Sequence, residues 1–376
     1  MIFLEEIDNM KLCLIYNFAQ HYRSRIFQRI DETFDCDYVF GDDHGDIKLM
    51  DYSLLSGSVK ETHTIKLGGG WYYQKGVLSM LFKNYDRYIL LGETRAVSTW
   101  LFLLISKFFT KKKVYLWSHG WYGKETRVER LIKKILFKLP NGGIFLYGNY
   151  ARELMITEGF DSKKLFVIHN SLAYDKQIQI RSKLQKTSIY KERFGNDFPT
   201  LIFIGRLTKV KKLHHLIEML KLLNNRGKKL NLVLVGDGTE KNNLETLSCE
   251  KGLSNQVWFY GACYDEQENA ELIYNADLCV APGNVGLTAM HVMVFGTPVV
   301  THDDFPYQMP EFEAIAPGDT GDFFKMDDID SMANCVEHWF DTKSKYREDV
   351  RASCYKEIDE NWTPEFQINV LKENLK

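Results

Sequence analysis

Leu213, Leu216, Ile217, Leu220 and Leu223 recur three or four residues apart, with polar residues between them. This spacing predicts an amphipathic helix, and Gly227 supplies its stop. Elsewhere the apolar positions fall in short unbroken runs. In the first half these are Lys11 to Tyr16, Tyr38 to Phe40, Tyr88 to Leu91, Val114 to Trp117, Ile144 to Leu146 and Leu165 to Ile168. In the second half they are Leu201 to Ile204, Leu232 to Val235, Val257 to Tyr260, Leu278 to Val280 and Thr297 to Thr301. Runs of this kind suit strands buried on both faces. Helical segments separate many of them: Arg23 to Ile30, Ala96 to Phe109, Glu125 to Leu139, Tyr150 to Thr157 and Ile329 to Phe340. A last helix is predicted from Thr363 to Lys376, with Thr363 as N-cap and Pro364 at the first helical position.

Strands alternating with helices imply parallel sheets covered on both faces. Between the two halves, Ser171 to Asp197 is polar, rich in Lys and Gln, and lacks strand character. It reads as a connection. The expected fold is α/β with two Rossmann-like domains. Residues 1–171 form the first domain and 172–358 the connection plus the second. Residues 359–376 form a terminal helix that packs back on the first. A length of 376 residues also exceeds what one core usually organises.

Composition narrows the function classes. The apolar fraction of 45% and charged fraction of 26% are those of an ordinary globular protein. A formal charge of −2 gives no support for nucleic acid as a partner. The seven cysteines are scattered without a Cys-x-x-Cys pair, against a disulfide framework or zinc site and in favour of a reducing compartment. The acidic start, Met1 to Glu6, has no basic n-region, and no apolar run approaches the ~20 residues of a membrane span. A cytoplasmic protein is expected.

Candidate chemistry gathers where predicted strands end. After Leu278 to Val280 comes a glycine loop, Pro282 to Gly286, and then a helix from Leu287 that Gly296 would close. The N–H groups that open such a helix favour an anion, phosphate above all. Gly205-Arg206-Leu207 follows Leu201 to Ile204, with Lys209, Lys211 and Lys212 close behind, and Gly236-Asp237-Gly238 follows Leu232 to Val235. A guanidinium and a mobile ammonium beside glycine loops suit a diphosphate. In the first half, Ser118-His119-Gly120 follows a strand, and Gly68-Gly69-Gly70 precedes Trp71-Tyr72-Tyr73. The latter reads either as a surface turn or as a loop folding over a sugar.

These landmarks, with Phe259-Tyr260-Gly261, Asn275-Ala276-Asp277, Gly296-Thr297-Pro298-Val299 and Pro310-Glu311, stand in one order. In that order they resemble the family 4 glycosyltransferases, retaining enzymes of the GT-B fold found in bacterial polysaccharide synthesis. The resemblance covers most of residues 11 to 340 and implies two Rossmann-like domains facing each other across a cleft. It implies transfer of a sugar from a nucleotide-sugar, UDP by commonest family usage, to a glycan or lipid-linked glycan. Arg206 and Lys211 would hold the diphosphate and His119 would sit near the donor sugar, these three carrying the catalysis. Gly205, Gly236, Gly286, Leu287 and Thr288 would line the donor site, with the base against Tyr260 and Gly261. Asn17, His21, Arg23, Gly69 and Trp71 are the acceptor-side candidates. No metal or other cofactor is implied, because fixed cations carry the leaving-group charge.

The chain departs from the family pattern in two places. Registering on Gly286-Leu287 sets Gly283 and His291 where the family has two glutamates. A neutral imidazole offers one acceptor nitrogen to a ribose where a carboxylate offers more. Asn284 is the neighbour that would reach the sugar instead. The first loop, Asn17 to Tyr22, also lacks the family's glycines. These losses keep two alternatives open: a catalytically weak binding or scaffold subunit, and a sugar-nucleotide epimerase on the same fold.

Residues 101–140 hold ten Lys and Arg (107, 111–113, 124, 127, 130, 133, 134 and 138) against Glu125 and Glu129. Phe102, Phe108, Phe109, Trp121, Leu131, Ile135, Leu136 and Phe137 are interleaved with them. A basic amphipathic segment of this kind suits an anionic membrane surface, where each cation contributes about 1 kcal/mol. The expected location is therefore the cytoplasmic face of a membrane, held peripherally.

Overall fold

The computed structural model describes residues 10–45, 47–110 and 112–375. The acidic start and Lys111 lie outside them. The chain divides into two compact units. The first runs to Ala173 and takes back the chain from Trp362; the second is Tyr174–Asn361.

The first unit contains β1 (Lys11–Tyr16), α1 (Ser24–Thr33), β2 (Asp35–Gly41), β3 (Val59–Thr62), β4 (Thr64–Gly68), β5 (Trp71–Gln74), α2 (Val77–Met80), β6 (Arg87–Leu91), α3 (Val97–Phe109), β7 (Lys113–Ser118), α4 (Arg127–Phe137), β8 (Gly143–Leu146), α5 (Asn149–Thr157) and β9 (Leu165–Val167). Seven strands pair in parallel in the order β3-β2-β1-β6-β7-β8-β9, with Leu14 opposite Tyr38 on one side and Ile89 on the other. One sheet face packs on Ile26, Phe27 and Ile30 of α1 together with Ile368 and Leu371 from the chain's end. The other packs on Phe102 and Leu103 of α3, Leu136 and Phe137 of α4, and Met155 of α5. The apolar runs are continuous because both faces are covered.

The second unit holds α6 (Tyr174–Arg181), α7 (Ile189–Phe194), β10 (Thr200–Ile204), α8 (His214–Asn225), β11 (Asn231–Val235), α9 (Lys241–Glu250), β12 (Val257–Gly261), α10 (Glu266–Asn275), β13 (Leu278–Ala281), α11 (Leu287–Met293), β14 (Val299–His302), β15 (Gly321–Phe324), α12 (Ile329–Lys343) and α13 (Arg347–Asn361). Six parallel strands run β12-β11-β10-β13-β14-β15. Gly296 closes α11 in a Schellman motif: at φ +78° its N–H donates to Met293 O, and Thr297 N–H donates to Val292 O. A Cβ there would meet Arg351 Cγ at 2.3 Å, so α13 fits only against glycine.

The stretch read as a connection is largely part of this unit. Arg181 of α6 pairs with Asp359 of α13 at 2.8 Å, and Tyr190 of α7 donates to Leu272 O at 2.6 Å. Residues 359–361 complete α13. The last helix, α14 (Pro364–Asn374), belongs to the first unit, and Thr363 Oγ1 accepts the Phe366 N–H at its start (3.1 Å). Among the described residues no helix is long and apolar enough to cross a membrane.

Candidate functional site

Strand order reverses between β10 and β13 in the second unit, and between β1 and β6 in the first. Open α/β sheets bind ligands beyond the carboxyl ends of their strands at such points. The candidate residues of each half collect there.

In the second unit the chain at the ends of β10, β11 and β12 packs backbone on backbone. Gly205 N–H donates to Val235 O (2.9 Å), Leu207 N–H to Asp237 O (2.8 Å) and Gly236 N–H to Gly261 O (2.7 Å). Gly236 has φ +142°, and a Cβ on it would lie 1.9 Å from Gly205 O. Arg206 is exposed at the rim. Lys211 ends a short 3-10 turn, and its ammonium donates to Asn284 O (2.6 Å) and Asn284 Oδ1 (2.8 Å). Burial, with Arg206 nearby, brings Lys211 down to about 8 against the opposing pull of Glu311. Arg206 and Lys211 thus set two cations beside the start of α11, where Gly286 adopts φ +55° and Thr288 Oγ1 donates to Ile204 O (2.9 Å).

Gly283 has no room for a side chain of any kind. A Cβ would lie 2.1 Å from Val210 O and 2.7 Å from Lys211 Cα. The family glutamate of that register is therefore sterically excluded here. Asn284, expected at the sugar, gives both its oxygens to Lys211. A residue missed in the sequence holds this loop from behind: Gln308 Oε1 accepts the Val285 N–H (2.9 Å), while its Nε2 donates to Thr301 Oγ1 (2.9 Å) and His302 O (3.0 Å). Gln308 is buried, and nothing in its neighbourhood of sequence marks it. A second missed residue is Glu266, whose Oε1 lies 3.2 Å from His291 Nε2. Leu287 and His291 lie one turn apart on α11, and Tyr260, next to last in β12, has its hydroxyl bonded to Glu268.

In the first unit, Asn17 after β1, Gly92 and Glu93 after β6, Ser118 at the end of β7 and His119 after it surround a cavity of about 360 Å³. Ser118 Oγ donates to Gly92 O (2.7 Å) and accepts the Gly120 N–H (3.2 Å). The His119 ring lies tilted against Tyr147, centroids 4.6 Å apart. Burial, then Arg23 and Lys133, push His119 down to about 4, so its imidazole is neutral at physiological pH. Arg23 lines the cavity from the 3-10 turn that leads into α1. His21, Gly69 and Trp71 do not line it. His21 is exposed, with Nδ1 3.2 Å from Lys48 O. Gly68, Gly69 and Gly70, all at positive φ, form the tip of the β4–β5 hairpin rather than a free loop, and Trp71 begins its second strand. The hairpin still bears on the cavity, because Tyr72 donates its hydroxyl to Glu93 (2.8 Å).

The basic stretch is sorted by the fold. Phe102, Trp121, Leu136 and Phe137 are core. Phe108, Phe109, Leu131 and Ile135 face solvent at 68, 80, 60 and 50% exposure. Lys133, counted above with the surface cations, turns inward to Glu125 Oε1 (2.6 Å) and Gly120 O (2.8 Å). Among the described residues, no group of three or more His, Cys, Asp or Glu is placed to hold a metal ion.

Residues 185–357, nearly the whole second unit, match the family described as glycosyl transferases group 1. This second unit is similar to the group 1 glycosyl transferases. EpsD of Bacillus subtilis, named as a candidate glycosyltransferase, is 29% identical over 153 residues. That match covers 40% of this chain and only 38% of EpsD. Both units are matched in solved structures. A lipopolysaccharide outer core galactosyltransferase, WaaB, superposes with a TM-score of 0.72 at 14% identity, covering 97% of this chain and 99% of WaaB. Anabaena HepE, solved with UDP, gives 0.71 at 16% identity, covering 97% and 99%. The two parallel-sheet α/β domains are those of the GT-B fold.

Proposed function

We propose that the chain is a retaining glycosyltransferase that moves a sugar from a UDP-sugar to a glycan or lipid-linked glycan, without a metal ion. The observation that carries this reading is the pairing of Arg206 and Lys211 with glycine loops at the β10/β13 reversal point. Breaking a glycosyl–phosphate bond leaves negative charge on the departing oxygen, and preorganised cations there lower the barrier. HepE's complex with UDP supports uracil as the base. His119, neutral and buried, is the imidazole we assign to the donor sugar.

The acceptor side is assigned to the first unit, working at an anionic membrane surface. Leu101, Leu104 and Phe108 on α3, and Val128, Leu131 and Ile135 on α4, form two exposed apolar stripes at i, i+3, i+7. Lys107 of α3 donates to Lys138 O just past α4 (3.3 Å), which ties the two helix ends together. Exposed Lys107, Lys113, Arg127, Arg130 and Lys138 belong to the same stretch. Apolar stripes with a cationic border suit the boundary between headgroups and acyl chains. WaaB, by its name, acts on lipopolysaccharide.

The test is incubation with UDP-glucose and UDP-galactose, with and without a lipid-linked acceptor, in excess EDTA. Release of UDP in EDTA, lost in Arg206→Ala and Lys211→Ala, is expected. Activity abolished by EDTA and restored by magnesium or manganese sinks the metal-free mechanism. An interconverted sugar points to the epimerase.

A further inference from the structure

Arg23 is a buried cation without a carboxylate. The residue is 5% exposed, and among the described residues no acidic oxygen comes within ion-pair distance of its guanidinium. Aromatic groups hold it instead. Its Cζ lies 4.7 Å from the Trp117 ring, 4.9 Å from Tyr16 and 5.5 Å from both Phe27 and Tyr147. Nη2 donates to the Tyr16 hydroxyl at 3.2 Å and Nη1 to the Tyr147 hydroxyl. Nε has no partner. Burying an unpaired guanidinium is costly, and ring faces and two neutral hydroxyls offset that cost only in part.

This guanidinium lines the first-unit cavity. Two further lining side chains present buried, unbonded atoms, Gln20 Oε1 and His119 Nδ1. The other charges of the wall are already engaged. Lys133 is paired with Glu125, and the half-buried Glu93 accepts the Tyr72 hydroxyl. Arg23 is therefore the lining cation left without a counter-charge. Burial chiefly lowers the proton affinity of His119, and Arg23 and Lys133 lower it further, adding a positive field inside.

We propose that this cavity binds an anionic group of the acceptor, a carboxylate or a phosphate ester, with Arg23 as its counter-ion. The inference rests on the assignment of the acceptor to the first unit. It adds a selection: neutral sugars leave a buried guanidinium unpaired, whereas a uronic acid or a sugar phosphate neutralises it. A guanidinium fork suits either oxyanion.

Trp117, against Arg23, provides a fluorescence readout. The full chain is titrated with glucuronate, glycerol phosphate and neutral glucose, in wild type, Arg23→Met and Arg23→Lys, with UDP binding measured in parallel by calorimetry. A saturable change with at least one anion, absent with glucose and weakened about tenfold or more in Arg23→Met, is expected. Partial retention in Arg23→Lys is expected too. Glucuronate alone identifies a uronic acid source, and glycerol phosphate alone a phosphate ester. Equal response to glucose and the anions in wild type overturns the proposal even if Arg23→Met fails to fold. Unchanged anion affinity in a folded Arg23→Met overturns it as well. Absence of UDP binding in wild type counts against the transferase reading and leaves the anion result to stand separately.

Discussion

His291 Nε2 lies 3.2 Å from Glu266 Oε1, so the carboxylate missing from the α11 register is present on the neighbouring helix α10. Burial pushes the Glu266 carboxyl up, but His291 and Gln177 outweigh it and hold the group below its usual value. An ionised Glu266 favours the tautomer with hydrogen on Nε2 and leaves Nδ1 as an acceptor. That is the single acceptor an imidazole can offer a ribose hydroxyl. His291→Ala should weaken UDP binding about tenfold, and Glu266→Gln should weaken it less. His291→Glu, which restores the family residue, sets two carboxylates together and should also bind poorly, with Glu266→Gln as its rescue. Calorimetric titration of the four variants checks this. Wild-type affinity in His291→Ala would mean that the histidine only packs α11 on α10.

Lys211 couples donor binding to pH. Its ammonium deprotonates near 8 in the free protein, and a bound diphosphate favours the charged form. UDP affinity should be flat below about pH 7 and fall above 8, by up to about tenfold per pH unit. Lys211→Met should bind weakly at every pH with a flat profile across this range. A wild-type profile without a break between 7 and 9.5 contradicts the assignment.

The central strands and glycine loops were legible because doubly buried strands are continuous apolar runs and the tight loops demand glycine; the edge strands β3 and β15, less apolar, were not. The polar helices were not. α13, written Arg-Glu-Asp-Val-Arg-Ala-Ser-Cys-Tyr, carries no clear stripe. It is seated by Arg347 donating to Gly296 O (2.6 Å) and Ala276 O (2.7 Å), carbonyls far away in sequence. Gly68 to Tyr73, legible only as glycines before rings, is part of a hairpin, Thr64 to Gln74, held to Arg95 O through Tyr72 N–H (3.1 Å). At the site, Arg206, Lys211 and His119 could be found from motif order. Glu266 and Gln308 could not, since each acts across a fold contact that spacing does not encode.

The steric exclusion at Gly283 gives a prediction opposite to family usage. Gly283→Ala drives a Cβ into Val210 O and Lys211 Cα, both main chain, so the loop that carries Lys211 must shift. A cost on the order of 2–3 kcal/mol is expected, with weaker UDP binding, and Gly283→Glu should be worse. Thermal melts with and without UDP measure both effects. An Ala variant that melts and binds like wild type refutes the packing argument.

Acid should destabilise both units. His169 in the first and His302 in the second are buried, and burial pushes each down to about 4. Tyr147 opposes this at His169, and Lys212 reinforces it at His302. The unfolded chain binds these protons near 6.5, so it takes up more protons than the folded one between 6.5 and 4. Stability contributed by the neutral rings is complete above about 6.5 and is lost as pH falls towards 4. On the order of 1–2 kcal/mol per histidine should disappear by pH 5. Melting curves from pH 8 to 5 should show the decline, and His302→Gln, which removes one titration, should make it shallower.

The last prediction concerns the stripes on α3 and α4. Phe108 and Phe109 are 68 and 80% exposed, and Val128, Leu131 and Ile135 continue the apolar surface on α4. Full insertion of such side chains contributes about 1.5–3 kcal/mol each, and the surrounding cations add a salt-sensitive attraction. Both components should therefore be visible separately. Cosedimentation with phosphatidylserine-containing vesicles should be strong at low salt and reduced at high salt, and weak with purely zwitterionic vesicles. Charge reversal at Arg127 and Lys138 should remove the salt-sensitive part; Lys133 is unsuitable because it is paired inside with Glu125. Phe108→Ser with Leu131→Ser should lower affinity at all salt concentrations by about tenfold or more, without lowering UDP binding. Failure of the wild-type chain to sediment with either vesicle would assign these stripes to a protein partner or a soluble assembly instead.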